Sequence, residues 1–203
     1  MALLPTSSRA EDPRPARTRE AIVAATKRLL DGAPDAVPSM QAIAQAAGVS
    51  RTSLYKQFPD MTALAVHLMQ ETFSDLGRAD LQRRAADAQP STSARAAVRG
   101  FVDYLHCYRA FYRSSLDWQV TSRVHEALVD GYADRIRASA ALIPDAPSGE
   151  DLEDQAIFVA GGVISRVTAW IRTDDPALAE PDRADHATDR LIRLMPTWLV
   201  GPI

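Results

Sequence analysis

Apolar positions recur at helical spacing through most of this 203-residue chain, and no stretch alternates apolar and polar residues as a half-buried strand would. In RTREAIVAATKRLL, over 17–30, Ile22, Ala25, Thr26 and Leu29 form one face, with Thr18 as the expected N-cap. Asp31, Gly32 and Pro34 break that helix, and Ser39, after Pro38, caps the next. In SMQAIAQAAGVSRTSLYKQF, over 39–58, Ile43, Ala44 and Ala47 share a face before Gly48 ends the helix in a left-handed turn and Val49 tucks back. Ser50 caps a third helix whose inward residues are Leu54 and Phe58. Pro59 and Asp60 open a fourth helix, expected to reach about residue 86, with Leu64, Leu68 and Phe73 buried. Ser91 or Thr92 then caps a fifth helix that runs unbroken through 95–116, with Phe101, Leu105, Tyr108 and Tyr112 on one face. A break near Asp117 and Trp118 precedes a helix over about 121–142, with Val124, Leu128, Tyr132 and Ile136 inward. After Pro144, Pro147 and Gly149, a long helix from Glu150 or Asp151 to about 172 and a last one over 182–199 complete an all-α pattern.

The segment 39–58 is the one with evident chemistry. Its second helix turns Leu54 and Phe58 inward and leaves Arg51, Thr52, Tyr55 and Lys56 on the other face. A guanidinium, a hydroxyl, a phenol and an ammonium in the first turns after a cap are groups that hold phosphates and read base edges in a major groove. The same spacing also fits an ordinary pair of surface helices, so the flanking helices decide. With them, residues 17 to about 70 resemble the N-terminal DNA-binding domain of the TetR family of one-component transcriptional regulators. The resemblance is carried by Ile22, Ala25 and Leu29, by IAQAAGVSRTSLYKQF from Ile43 to Phe58, and by Ala63 and Leu64.

The resemblance implies an N-terminal three-helix helix-turn-helix head followed by a C-terminal helical bundle that binds a small molecule and the dimer partner. Most such proteins are repressors released from a palindromic operator by their ligand. Residues 1–16 are then a disordered basic arm, 17–62 the DNA-binding domain and 63–203 the ligand-binding and dimerisation domain. Contacts to double-stranded DNA are implied at Ser39, Met40, Gln41, Ser50, Arg51, Thr52, Tyr55, Lys56 and Gln57. The chain departs from the family pattern at Gln57, often a histidine, and at Met61, usually a lysine, which removes one phosphate contact. Two prolines before Ser39 also replace the common glycine and aromatic. Backbone N–H groups after Pro59 are the expected substitute for the missing lysine.

Net charge alone, -3, argues weakly against a nucleic-acid partner. Its distribution changes that: residues 1–66 hold 8 Lys or Arg against 6 Asp or Glu, a balance of +2, whereas the remainder holds 15 against 20, a balance of -5. With 46% apolar residues the chain can bury a sizeable core, and no run of about 18 apolar residues marks a membrane span. The first residues lack the apolar stretch of a secretory signal, so the expected location is cytoplasmic. A single cysteine, Cys107, excludes an internal disulfide.

In the C-terminal part, IFVAGGVISRVTAWI over 157–171 is apolar around much of its circumference, and Gly161 and Gly162 would each cost roughly 1 kcal/mol in a helix interior. Close helix approach explains such glycines. Together with Leu191, Leu194, Trp198 and Leu199, this segment resembles the family's four-helix homodimer interface. Phe73, Tyr104, Cys107, Tyr108, Phe111, Trp118, His125 and Trp170 are the candidate contacts for a small apolar or aromatic effector. His106 and His125 give no expectation of a metal, and no cofactor is expected. The chain has no GxSxG elbow, phosphate-binding glycine loop or HExxH pair, so no enzyme is expected. The alternative is a helical interaction or ligand-binding protein with a degenerate DNA-binding head.

Overall fold

The structure is a computed structural model describing residues 14–86, 89–115, 122–173 and 183–202. The described residues form helices α1 (Arg14–Gly32), α2 (Met40–Ala47), α3 (Arg51–Gln57), α4 (Met61–Ala85), α5 (Pro90–Cys107), α6 (Arg109–Ser115), α7 (Ser122–Ala140), α8 (Gly149–Arg172), α9 (Ala184–Ile192) and α10 (Thr197–Val200), with no strand among them. Helices α1 to α3 pack on one another at the N-terminal end. Helix α4 leads away from them into a body in which it packs on α5 and α7, α7 on α8, and α5 on α9 and α10. The all-α expectation holds. Most of the expected basic arm, the break at Asp117 and Trp118 lie outside the described residues.

Local chemistry sets the ends of these helices, and it departs from the sequence reading at four places. Helix α1 starts at Arg14, so Thr18 is no cap; its hydroxyl donates to the Arg14 carbonyl at 2.9 Å from within the helix. Helix α5 begins with Pro90 at its first turn, where the missing N–H is no loss, and takes neither Ser91 nor Thr92 as its cap. The expected continuous fifth helix breaks at Tyr108, whose backbone (φ -110, ψ 21) leaves helical geometry. No proline or glycine forces this. The break is a tertiary effect: Tyr108 donates to Asp31 of α1, and Tyr112 on α6 turns back to pair its hydroxyl with that of Tyr104. The last expected helix divides into α9 and α10 because Pro196 lacks an N–H and biases Met195 out of the helical region.

In the body, α4 carries a charged pair inside the core. Asp80 and Arg84 lie one turn apart with side chains 7% and 4% exposed, joined by a 2.8 Å contact from Nε to Oδ2. The carboxylate also accepts from the Ser93 hydroxyl of α5 at 2.8 Å and the Ser139 hydroxyl of α7 at 2.9 Å. Arg84 Nη2 donates to the Leu199 carbonyl of α10 at 3.1 Å. One ion pair therefore ties four helices together. Removing one partner of a buried pair leaves the other charge without compensation, which typically costs about 3–5 kcal/mol. Asp80→Ala is expected to lower stability by about that amount, seen as a drop in the urea midpoint with an unchanged slope at fixed protein concentration. A loss under about 1 kcal/mol would show that the pair adds little beyond its packing.

Candidate functional site

The exposed face of α3 is assembled by two turns. Ser39 accepts from the Ala42 N–H at 3.2 Å and starts α2. At its other end Gly48 adopts φ 66, ψ 30, with its N–H reaching the Gln45 carbonyl and the Val49 N–H reaching that of Ala44. This double bond pattern is the Schellman closure, for which glycine carries no Cβ penalty. Ser50 then accepts from the Ser53 N–H at 3.1 Å and begins α3. Ile43 and Leu54 are fully buried, as is Ile22 of α1, and Phe58 is nearly so. These contacts fix α3 with Arg51, Thr52, Tyr55 and Lys56 exposed; Tyr55 is half exposed, an unusual state for a large ring.

The other residues expected to contact DNA gather around this face. Ser39, Gln41 and Ser50 are exposed, and the Arg51 guanidinium donates to Gln41, so the starts of α2 and α3 meet. Met40 is half-buried against the core. Gln57 accepts from Arg19 of α1 at 3.2 Å, which brings a further cation to the end of α3. Arg28 of α1 donates to the Ala46 carbonyl at 3.3 Å. At the start of α4, Asp60 is the N-cap and accepts from the Ala63 N–H at 2.7 Å, while Met61 packs on the core. One of the N–H groups expected to replace the missing lysine is therefore satisfied internally, and a carboxylate sits where a phosphate would approach.

Of the residues expected to contact an effector, several form a cluster between α1 and the body. Tyr104 and Tyr108 meet edge to face with centroids 4.8 Å apart, and Phe111 packs on Tyr112 at 5.3 Å. Burial pushes the Tyr104, Tyr108 and Tyr112 hydroxyls above the ordinary tyrosine range, so they remain neutral. Trp170 is fully buried in α8 between the Arg166 and Arg190 guanidiniums, and its indole N–H has no hydrogen-bond partner. Cys107 and His125 are exposed, and Trp118 lies outside the described residues.

Phe73 lies elsewhere, in a partly open cavity of about 70 Å³ lined by α4, α5, α7 and the segment from Met195 to Val200. Its walls include Phe73, Leu76, Val98, Phe101, Tyr132, Ile136, Met195 and Leu199, with Asp80, Arg84 and Arg135 as the charged members. Phe73 meets Phe101 and Tyr132 edge to face, both at 5.3 Å. Sequence reasoning missed the three charged residues. The i, i+4 spacing of Asp80 and Arg84 was visible, but the same spacing is common on exposed helix faces.

Residues 22–68 match the model of the family described as bacterial regulatory proteins, tetR family. No curated protein sequence matches the chain. Among solved structures it is similar to the TetR family repressor AlkX of Dietzia sp., implicated in biodegradation of n-alkanes, with 19% identity over 85% of this chain and 92% of that one and a TM-score of 0.57. It is also similar to FadR of Thermus thermophilus, a transcriptional repressor seen with lauroyl-CoA, with 16% identity over 91% and 95% and a TM-score of 0.59. RolR, seen with resorcinol, gives 16% identity over 94% and 96% and a TM-score of 0.57. At these identities the solved structures speak for the fold. The matched head, with its capped helices, glycine closure and exposed recognition face, identifies residues 22–68 as the domain shared by the bacterial regulatory proteins of the tetR family.

Proposed function

We propose that the chain is a homodimeric DNA-binding transcriptional regulator, a repressor released from a palindromic operator by a small apolar or aromatic effector held in the body. The observation that carries this reading is the face of α3, where Arg51, Thr52, Tyr55 and Lys56 stand exposed on a helix whose opposite side is locked into the core. Ser39, Met40, Gln41, Ser50 and Gln57 complete the DNA contacts, and Arg19 joins them through Gln57. Two heads on a two-fold axis would read two half-sites. The effector would occupy the cavity beside Phe73, while the tyrosine cluster at Tyr104 and Tyr108 holds α1 against the body.

Helix α8 supports the dimer. Phe158 is 80% exposed and Ile157 48%, and Gly161 and Gly162 lie on the same side at helical spacing. A Cβ built on either glycine meets nothing within 4 Å. The close approach that these glycines permit is thus not used among the described residues, and a second copy would use it. Leu194, 65% exposed after α9, is a further apolar residue in want of cover. None of the helices in the described residues is long and apolar enough to cross a membrane.

Binding to a duplex from the DNA upstream of the chain's own coding sequence tests this function. Wild-type protein is expected to bind with an affinity that falls steeply as salt rises. Arg51→Ala and Tyr55→Ala should each weaken it by about tenfold or more, as loss of a specific contact of about 1–3 kcal/mol implies, with the fold unchanged by circular dichroism. If the intact protein shows no salt-sensitive preference for any duplex, the alternative of a ligand-binding protein with a degenerate head replaces this one. Phe158→Asp is expected to convert the dimer to monomer by sedimentation and to cost operator affinity through loss of the second head. A dimer that survives this change would place the interface elsewhere.

A further inference from the structure

We propose that the body cavity takes a small carboxylic acid in its ionised form, a short alkyl or single-ring body with one negative charge, anchored by Arg84 and Arg135. This rests on the reading of the body as an effector domain and names the ligand's chemical class. Three charged side chains line the cavity, two positive and one negative. The negative one is already committed, since Asp80 accepts from Arg84 Nε and from two serine hydroxyls. One positive charge is left over in a largely apolar wall, and a bound anion is what balances it.

Donor capacity points the same way. Arg84 spends Nε on Asp80 and Nη2 on the Leu199 carbonyl, and its Nη1 is buried with no partner. Buried guanidinium donors are ordinarily satisfied, so an unpaired one in a cavity wall is a place for an acceptor. Arg135 makes no ion pair or hydrogen bond among the described residues. Its aliphatic stem crosses α4 at Gly77, where a Cβ would lie 2.6 Å from Arg135 Cδ. The glycine lets this arginine lie low across α4 at the cavity edge. A carboxylate is the group a pair of guanidiniums holds best. Phe73, Phe101 and Tyr132 supply flat apolar surface for the rest of the molecule. The space of about 70 Å³ suits a body of only a few non-hydrogen atoms.

The test compares each acid with its uncharged amide on the full-length protein by calorimetry at neutral pH: pentanoate against pentanamide, and benzoate against benzamide. The acids are expected to bind about tenfold tighter than the amides, or better. Arg84→Gln would strip Asp80 of its counter-charge and is expected to destabilise the fold, so Arg135→Gln is the variant to read. It should bring acid affinity down to that of the amide and leave the melting temperature unchanged. Equal binding of acid and amide, no binding of either acid, or a preference that survives Arg135→Gln overturns the proposal. DNA binding measured on the same preparations separates the two readings. Salt-sensitive operator binding without acid binding removes only the ligand inference, while acid binding without any duplex binding removes the regulator.

Discussion

The body of this protein is organised around a charged pair placed where charge is costly. Asp80 and Arg84 lie within the core, and each has little solvent to lean on. Such a pair is tolerable only if the remaining lone pairs and N–H groups are met by protein. Ser93 on α5, Ser139 on α7 and the Leu199 carbonyl at α10 meet part of this need, and Arg84 Nη1 is left without a partner. The requirement acts as a register pin: a slip of α5 or α7 by one residue would turn its hydroxyl away and leave part of a buried carboxylate unsatisfied. Apolar packing alone would tolerate several registers. The polar pair selects one, and the cavity is the space left beside it.

The head is held by different means. Helices α2 and α3 have only eight and seven residues, too short to be stable alone. Their ends are closed by Ser39, Gly48 and Ser50, and their inward residues are clamped by Ile22 and Val23 of α1. Contacts from α1 then join head to body: Lys27 to Glu71 at 3.0 Å, and Asp31, which accepts from Tyr108. The second of these falls on the break between α5 and α6. The irregularity at Tyr108 is therefore where the body grips the first helix of the head.

The head was legible in the sequence because its determinants are local. A serine three residues before its bonded N–H, or a glycine just before a hydrophobic tuck, can be read within one turn of chain. The body was legible as helices but not as a site. Tyr108 shares the face of Phe101 and Leu105 in an unbroken pattern, and only its bond to Asp31, 77 residues away, shows why the helix stops. Pro196 was a visible breaker inside the expected last helix, and its effect is the division of α9 from α10. The spacing of Asp80 and Arg84 is equally that of a surface pair, because α4 is flanked on several sides and its apolar positions do not form one clean stripe. Aromatic residues drew attention as ligand contacts because they are conspicuous, yet Tyr104, Tyr108 and Phe111 fill the junction between head and body.

Under the proposed regulation, α4 is the element that must carry the message. Its first residue lies beside the head, and Phe73 at the cavity is twelve residues later, about 18 Å along the axis at 1.5 Å per residue. A helix of this length transmits tilt and little else. Occupation of the cavity can shift the head only if the ligand favours one setting of α4 against α5, α7 and α10 over another. Arg84 makes such a preference physically accessible, since it bonds at once to its own helix through Asp80 and to α10 through Leu199. An acceptor drawn to its free Nη1 competes for the guanidinium that spans the two. Reciprocity then requires that operator DNA, by holding the other setting, weaken the ligand by the same factor that the ligand weakens the operator.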